Sequence, residues 1–266
     1  MSSESIDVTR PSVARMYDFL LGGTDNFRPD RDACRQLLTM APNAREAARV
    51  NREFLERVVH FLAASGIRQF VDCGAGLPAR RNVHQIAQRV APSSRVVYVD
   101  NDPHVLAQGR LMLETNRRTT MLGSDIRRWR NLLERPAFAR LIDLGQPIAV
   151  LFVSVLHCIP EEDDPRSIVH GFAESLAPGS FVVTCQLVSD EGALRDRVTD
   201  FMVRTIPGGW GRVCSRQEVR RYFTSARMQI MDQICEVSRW RSDGEGPLLG
   251  DVGQGLMCFG GVARIV

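Results

Sequence analysis

Residues Phe70 to Ala79 read FVDCGAGLPA. An apolar run meets an acid, Asp72, and then two glycines, Gly74 and Gly76, one residue apart. Glycine tolerates positive φ and lets the main chain approach a ligand closely. Three more apolar runs end in polar groups. SRVVYVD ends at Asp100 with Asn101 beside it, TTMLGSD ends at Asp125 with Ile126 next, and PIAVLFVSVLH carries Ser154 and His157. Carboxylates accept hydrogen bonds and balance cations, and a histidine can exchange a proton near neutrality. In an open parallel sheet such strand ends meet at one ligand crevice, so the four form one constellation.

Two ligands use a glycine turn of this kind. Gly74-x-Gly76-x-x-Ala79 satisfies the dinucleotide pattern, with Asp100 near the position about 20 residues on that holds a ribose, so NAD fits the spacing. Three features favour S-adenosylmethionine (SAM). A fixed charge at Asp72 suits an ammonium and a sulfonium and is poorly placed beside a pyrophosphate. Pro78 removes a main-chain N–H where a phosphate needs donors. Asp125 can accept from an adenine amino group, and Asp100 from both ribose hydroxyls. Each also has a plainer reading: a tight turn for the glycines, an exposed strand end for Asp100, a helix N-cap for Asp125.

The elements that must position these groups follow from periodicity. Pro11 at a first helical position and the stripe Val13, Tyr17, Leu20 and Leu21 predict an opening helix, stopped by Gly22 and Gly23. Pro29 and Asp30 start a second, through Met40. A longer amphipathic helix runs from Asn43 to Gly66. Five apolar strands then alternate with helices, one of them capped by Asp164 with Pro165 at its first position. That alternation predicts a parallel sheet covered on both faces. Ser215 and Glu218 form a capping box. MQIMDQICEV and LMCFGGVARIV read as two strands with no convincing helix between them, an antiparallel pair at one edge.

Composition narrows the function classes. The 266 residues are 44% hydrophobic and 24% charged, ordinary for a globular protein. No apolar run reaches the ~18 residues of a membrane span, and the first residues lack a secretory pattern. A cytoplasmic protein with no membrane partner is expected. Seven cysteines are scattered without a metal-binding spacing. Lysine is absent, so all 34 basic residues are arginine, but they alternate with acids along the chain and no nucleic-acid partner is expected. A Tyr-x-x-x-Lys hydride-transfer set is impossible.

The order D-x-G-x-G, VVYVDND, GSDIR, VLHCIP and LAPGSFVV resembles a class I SAM-dependent methyltransferase. More narrowly, PSVARMYDFLLGGTDNF, NREFL, GIRQFVDCGAGLP, NVHQIAQ, VSVLHCIPEEDDP and the final ARIV behind GGV resemble a bacterial family. That family is S-adenosyl methyltransferase family 19, formerly a domain of unknown function. The similarity covers nearly the whole chain, and the N-terminal block is its most specific part. Cys73 and Pro78 depart from the generic motif.

The resemblance implies an α/β, doubly wound, mostly parallel seven-stranded Rossmann-like sheet with an antiparallel last strand. The opening block, two glycines followed by short polar side chains, reads either as a helical lid over residues 1–42 on a SAM-binding domain of residues 43–266 or as a helix whose stripe Val13, Tyr17, Leu20 and Leu21 packs on that domain. Asp72, Gly74, Gly76, Asp100, Asn101, Asp125, Ile126 and Ser154 are then expected to hold SAM. Tyr17, Gly23 and Asn26 would close over it from a hinged lid, and Arg15 or Arg52 could pair with its carboxylate. VLHCIPEEDDP is similar to the stretch carrying the general base of small-molecule O-methyltransferases, which makes His157 either that base or a positioning group. The implied reaction is O- or N-methylation of a small-molecule acceptor. SAM binding without turnover stands as the alternative, and an NAD-dependent oxidoreductase as the third.

Overall fold

The computed structural model describes residues 6–242 and 255–266. Three helices precede the sheet: α1 (Val13–Leu20), α2 (Arg28–Met40) and α3 (Ala44–Ala64). Ser12 caps α1, its hydroxyl accepting from the Arg15 N–H, so Pro11 lies before the cap and not at the first helical position. Along α3, Ala47, Val50, Phe54, Val58 and Leu62 recur at helical spacing and are buried. Gly66, at φ +99°, turns the chain out of the helix.

Strands and helices then alternate: β1 (Gln69–Cys73), α4 (Val83–Val90), β2 (Arg95–Asp100), α5 (Pro103–Met112) and β3 (Thr119–Gly123). Two short helices follow, α6 (Trp129–Leu133) and α7 (Pro136–Ala139). Next come β4 (Ala149–Val153), α8 (Pro165–Ser175), β5 (Phe181–Val188), α9 (Gly192–Thr205), α10 (Arg216–Arg220), β6 (Met228–Glu236) and β7 (Met257–Ile265). The sheet order is β3-β2-β1-β4-β5-β7-β6. β1 to β5 are parallel, and β7 runs antiparallel to both β5 and β6. The strand order reverses between β1 and β4, where open α/β sheets bind ligands.

Both faces are covered. α3 lays Phe54, Val58 and Leu62 against Phe70, Leu151 and Val183. On the opposite face, Ile168 and Phe172 of α8 meet Val150 and Phe152. β1 and β4 are buried along their whole length, as central parallel strands must be. Asp164 caps α8, and Ser215 with Glu218 forms the capping box of α10.

Three readings change. The fourth strand stops at Val153 because Ser154 takes a left-handed conformation, φ 60°, and a 3-10 turn follows at Leu156–Cys158. α9 was not anticipated; Leu194, Val198 and Met202 are its buried face. The stretch between β6 and β7 begins with a 3-10 turn at Val237–Arg239, and the rest of that connection, residues 243–254, lies outside the described residues.

The opening helix packs on its neighbours. Met16 is buried in one cluster with Cys34 and Leu37 of α2 and Leu194, Val198 and Met202 of α9. Arg15 (3% exposed) pairs with Asp30 (0%) at 2.9 Å, which ties α1 to α2. Asp30 also accepts the Ser12 N–H at 2.9 Å and the Phe27 N–H at 2.8 Å. The Arg15 guanidinium further donates to the carbonyls of Asp7 and Arg10, fixing the segment before α1. Replacing Asp30 with Ala strands a buried guanidinium, so urea unfolding is expected to show a loss of about 3–5 kcal/mol. A loss under about 1 kcal/mol, the surface-pair range, would show that this pair does not hold the N-terminal helices.

Candidate functional site

The carboxyl ends of β1 to β4 surround a cavity of about 600 Å³, a size suited to a cofactor-sized ligand. The turn after β1 is built by crowding. Gly74 and Gly76 both have positive φ, 76° and 65°. A Cβ on Gly74 would lie 2.4 Å from Val155, so no side chain fits between β1 and β4 there. The N–H groups of Gly74 and Ala75 donate to Val99 O at 2.8 and 3.1 Å.

Asp100 locks this turn to β2. Its Oδ2 accepts the Gly76 N–H at 2.9 Å, and its Oδ1 accepts the N–H groups of Asn101 and Asp102 at 2.8 and 2.9 Å. Burial raises its pKa, while the N–H bonds from Asp102, Gly76 and Asn101 pull it back. Asp72, one strand over, is buried against the same cavity. Burial pushes its carboxyl up to about 7; the Arg52 charge lowers it and the Asp100 charge raises it. Cys73 is fully buried beside it, and that burial raises its thiol well above the usual range, so it is inert.

Asp125 lines the cavity but is already engaged. It caps the 3-10 turn at Ile126–Arg128 by accepting the Arg127 N–H, and both its oxygens take the Arg127 guanidinium. Burial works to raise its pKa, but the Arg127 hydrogen bonds outweigh this and hold it low. Little of that carboxylate is left for an adenine amino group. Ile126 is buried at the same rim, and Asn101 and Ser154 also line the cavity. A non-glycine residue at positive φ, such as Ser154, is costly and concentrates at functional sites.

The N-terminal candidates divide. Tyr17 faces the cavity, donating to Ala48 O at 3.0 Å and accepting from Asn51 Nδ2 at 2.8 Å. Gly23 and Asn26 do not line it. Asn26 Nδ2 donates to Asp18 Oδ2 and to Gly23 O, and a Cβ on Gly23 would strike the Asp18 carboxylate. These two residues shape the turn between α1 and α2. Arg15 lines the cavity with its guanidinium committed to Asp30 and to main-chain carbonyls, which removes it as a partner for a ligand carboxylate. Arg52 lines the cavity from α3 with one contact, to Arg81 O.

His157 lies in the 3-10 turn after β4 and lines the cavity. Gln186 Oε1 accepts its N–H at 3.0 Å and lies 3.1 Å from Nδ1, while the Leu187 N–H approaches the same nitrogen at 3.3 Å. Gln186 is itself fixed by donating to Phe152 O. The imidazole packs on Trp210, ring centroids 4.9 Å apart. Burial drops its pKa to about 4, so it is neutral through the physiological range. Sequence reasoning missed the wall opposite: Met202, Ile206 and Trp210, from the end of α9 and the loop after it. The Pro-Gly-Gly-Trp stretch, residues 207–210, was the available signal. Among the described residues, no group of three His, Cys, Asp or Glu side chains is placed to hold a metal. No helix there is long and apolar enough to cross a membrane.

This geometry fits SAM. Two carboxylates, Asp72 buried with an arginine near it and Asp100 half-buried, stand at adjacent strand ends of one cavity. Asp100→Ala is expected to weaken S-adenosylhomocysteine binding, read by calorimetry, by about 1–3 kcal/mol, the range for a hydrogen bond to a charged group. Unchanged affinity in a folded variant would remove Asp100 from the site.

Comparison with known proteins agrees. The chain matches along its full length, residues 1–266, the family described as S-adenosyl methyltransferase. A crystal structure of a provisionally assigned methyltransferase from Thermobifida fusca is 34% identical, with a TM-score of 0.87 over 98% of this chain and 97% of that one. A DUF574 family protein from Streptomyces avermitilis is 31% identical, with a TM-score of 0.89 over 98% and 100%. Human N-acetylserotonin methyltransferase, solved with SAM, is 11% identical with a TM-score of 0.51 over 94% of this chain and 59% of that one, a likeness of fold. No curated protein matches the chain. Of the two ligands that the glycine turn left open, SAM is the cofactor, and the chain belongs to the S-adenosyl methyltransferase family.

Proposed function

We propose that the protein transfers a methyl group from SAM to a small-molecule nucleophile held between the end of β4 and the end of α9. The observation that carries this reading is the continuity of the cavity. Asp72 and Asp100 line it from one side of the switch point, and His157 and Trp210 from the other, so cofactor and acceptor can share one water-poor space. When bound, SAM supplies an electrophilic methyl group on a sulfonium sulfur.

The chain's own residues do the rest. Asp72 takes the cofactor's ammonium and Arg52 its carboxylate. Asp100 takes a ribose hydroxyl on the lone pair that its three N–H donors leave free, and Asn101 and Ile126 border the adenine. Ser154 narrows the passage between the two halves. The segment from Arg10 to Tyr17 lines the cavity. His157, whose Nδ1–H donates to Gln186 Oε1, orients the acceptor and keeps Nε2 as its bare nitrogen. Its neutral ring can take the acceptor's proton as that group becomes more acidic on methylation.

Two outcomes check this. SAM carrying a labelled methyl group should pass label to a component of a small-molecule extract. His157→Asn should slow transfer about 100-fold, within the usual range for a proton-transfer group, with S-adenosylhomocysteine affinity retained. Intact cofactor binding with no transfer under any condition would favour the binding-only reading.

The second outcome is a pH dependence. The Asp72 carboxyl is protonated below about pH 7 and charged above it. Affinity for SAM should therefore rise with pH up to about 7 and level off near 8, where an α-amino group begins to lose its own proton. Asp72→Asn should lower affinity and flatten this dependence. A flat wild-type profile through neutrality would detach Asp72 from the ammonium. Folding responds in the opposite sense. Between about pH 4 and 7 the folded chain keeps a proton that the unfolded chain has lost, so this group lowers stability as pH rises across that window.

A further inference from the structure

The cavity is divided by charge. Among the described residues, every formally charged side chain that lines it belongs to residues 7–127, from the N-terminal segment, α3 and the ends of β1 to β3. Among the described residues, none of the lining positions from Val153 onward is Asp, Glu or Arg. The sheet order gives this a spatial meaning. β3, β2 and β1 lie on one side of the reversal, and β4, β5 and β7 on the other. The wall built by β4, β5, α9 and Leu256 therefore has its own chemistry, and the N-terminal segment that packs on it through Met16 has its Arg15 guanidinium spent on Asp30 and main-chain carbonyls.

That wall is apolar and firm. Met202 and Ile206 come from the end of α9, Leu187 from β5 and Leu256 from the approach to β7. Trp210 and His157 form an aromatic corner at an interplanar angle of 60°. That corner is held from behind. The N–H groups of Gly211 and Arg212 donate to His157 O at 3.0 and 3.1 Å. A Cβ on Gly211 would lie 2.0 Å from Ile159 O, so the loop seats directly on the chain after His157. Polar capacity is scarce. The Thr205 hydroxyl is spent on Phe201 O, and burial pushes the Cys158 thiol up to about 12, leaving it uncharged. A charged ligand group here would lose its water and find no counter-charge, a heavy cost. A flat uncharged ring would bury its faces at no such cost.

We propose that the methyl acceptor is an uncharged, largely apolar molecule that lays a flat ring against Trp210 and His157. This rests on the methyl-transfer reading above and adds the acceptor's class.

Three probes of one size separate the cases: naphthol, naphthoate and naphthylmethylammonium. Each is titrated calorimetrically into the full chain near neutral pH, with S-adenosylhomocysteine saturating. Naphthol should bind at least about tenfold tighter than either ion, a preference of about 1.4 kcal/mol. Trp210→Ala should weaken naphthol by a similar factor while S-adenosylhomocysteine still binds, which also shows that the variant is folded. Thr205→Asp supplies a second arm, since a carboxylate in the chamber should turn the preference toward the ammonium. Either ion binding the wild type as tightly as naphthol, or no naphthyl compound binding at all, overturns the proposal. So does a cofactor-competent Trp210→Ala that holds naphthol unchanged, or a folded Thr205→Asp whose preference does not move. Failure of S-adenosylhomocysteine to bind the folded wild type would instead sink the SAM reading beneath it.

Discussion

Three main-chain N–H groups converge on the Asp100 carboxylate, and the site depends on that convergence. One comes from the glycine turn after β1 and two from the turn after β2. The bond to Gly76 sets where the glycine turn sits relative to β2. The contact of Gly74 with Val155 sets where it sits relative to β4. Three strand ends are thus fixed by one carboxylate and one missing side chain. Hydrogen bonds to an ionised group are among the stronger ones, net about 1.5–3 kcal/mol each. Here they oppose the burial that raises the Asp100 pKa.

The outer layers follow from that frame. α3 lies along the sheet and delivers Arg52 to the cofactor half of the cavity. α1 and α2 are clamped together by the buried Arg15–Asp30 pair, and α9 completes their core. The N-terminal block is therefore part of the wall before any ligand binds. β7, antiparallel to β5, brings Leu256 and Cys258 to the far side, where none of the described lining residues is Asp, Glu or Arg.

Much of this was legible because the signals are local. The strand–helix alternation, the four strand ends with polar groups, the Asp164 cap and the capping box at Ser215 all follow from neighbouring residues. The failures share a cause. Gly23 and Asn26 carry the same small polar signature in a ligand loop as in a helix–helix turn, and only the position of Asp18 decides between them. Asp125 could face a ligand or cap a turn, and in the fold it lines the cavity while capping the turn and meeting Arg127. The β4 run looked longer because Ser154 gives no hint of positive φ. His157 is governed by Gln186, 29 residues away on the neighbouring strand. α9 was within reach, since Leu194, Val198 and Met202 recur every four residues, but its dense Asp and Arg content hid that stripe.

A crystal structure with S-adenosylhomocysteine bound tests the central claim most directly. The account predicts a ribose hydroxyl on Asp100, the amino acid end between Asp72 and Arg52, and the sulfur directed toward His157 and Trp210. A ligand whose ribose lies away from Asp100, or whose sulfur points away from the Trp210 chamber, would contradict it.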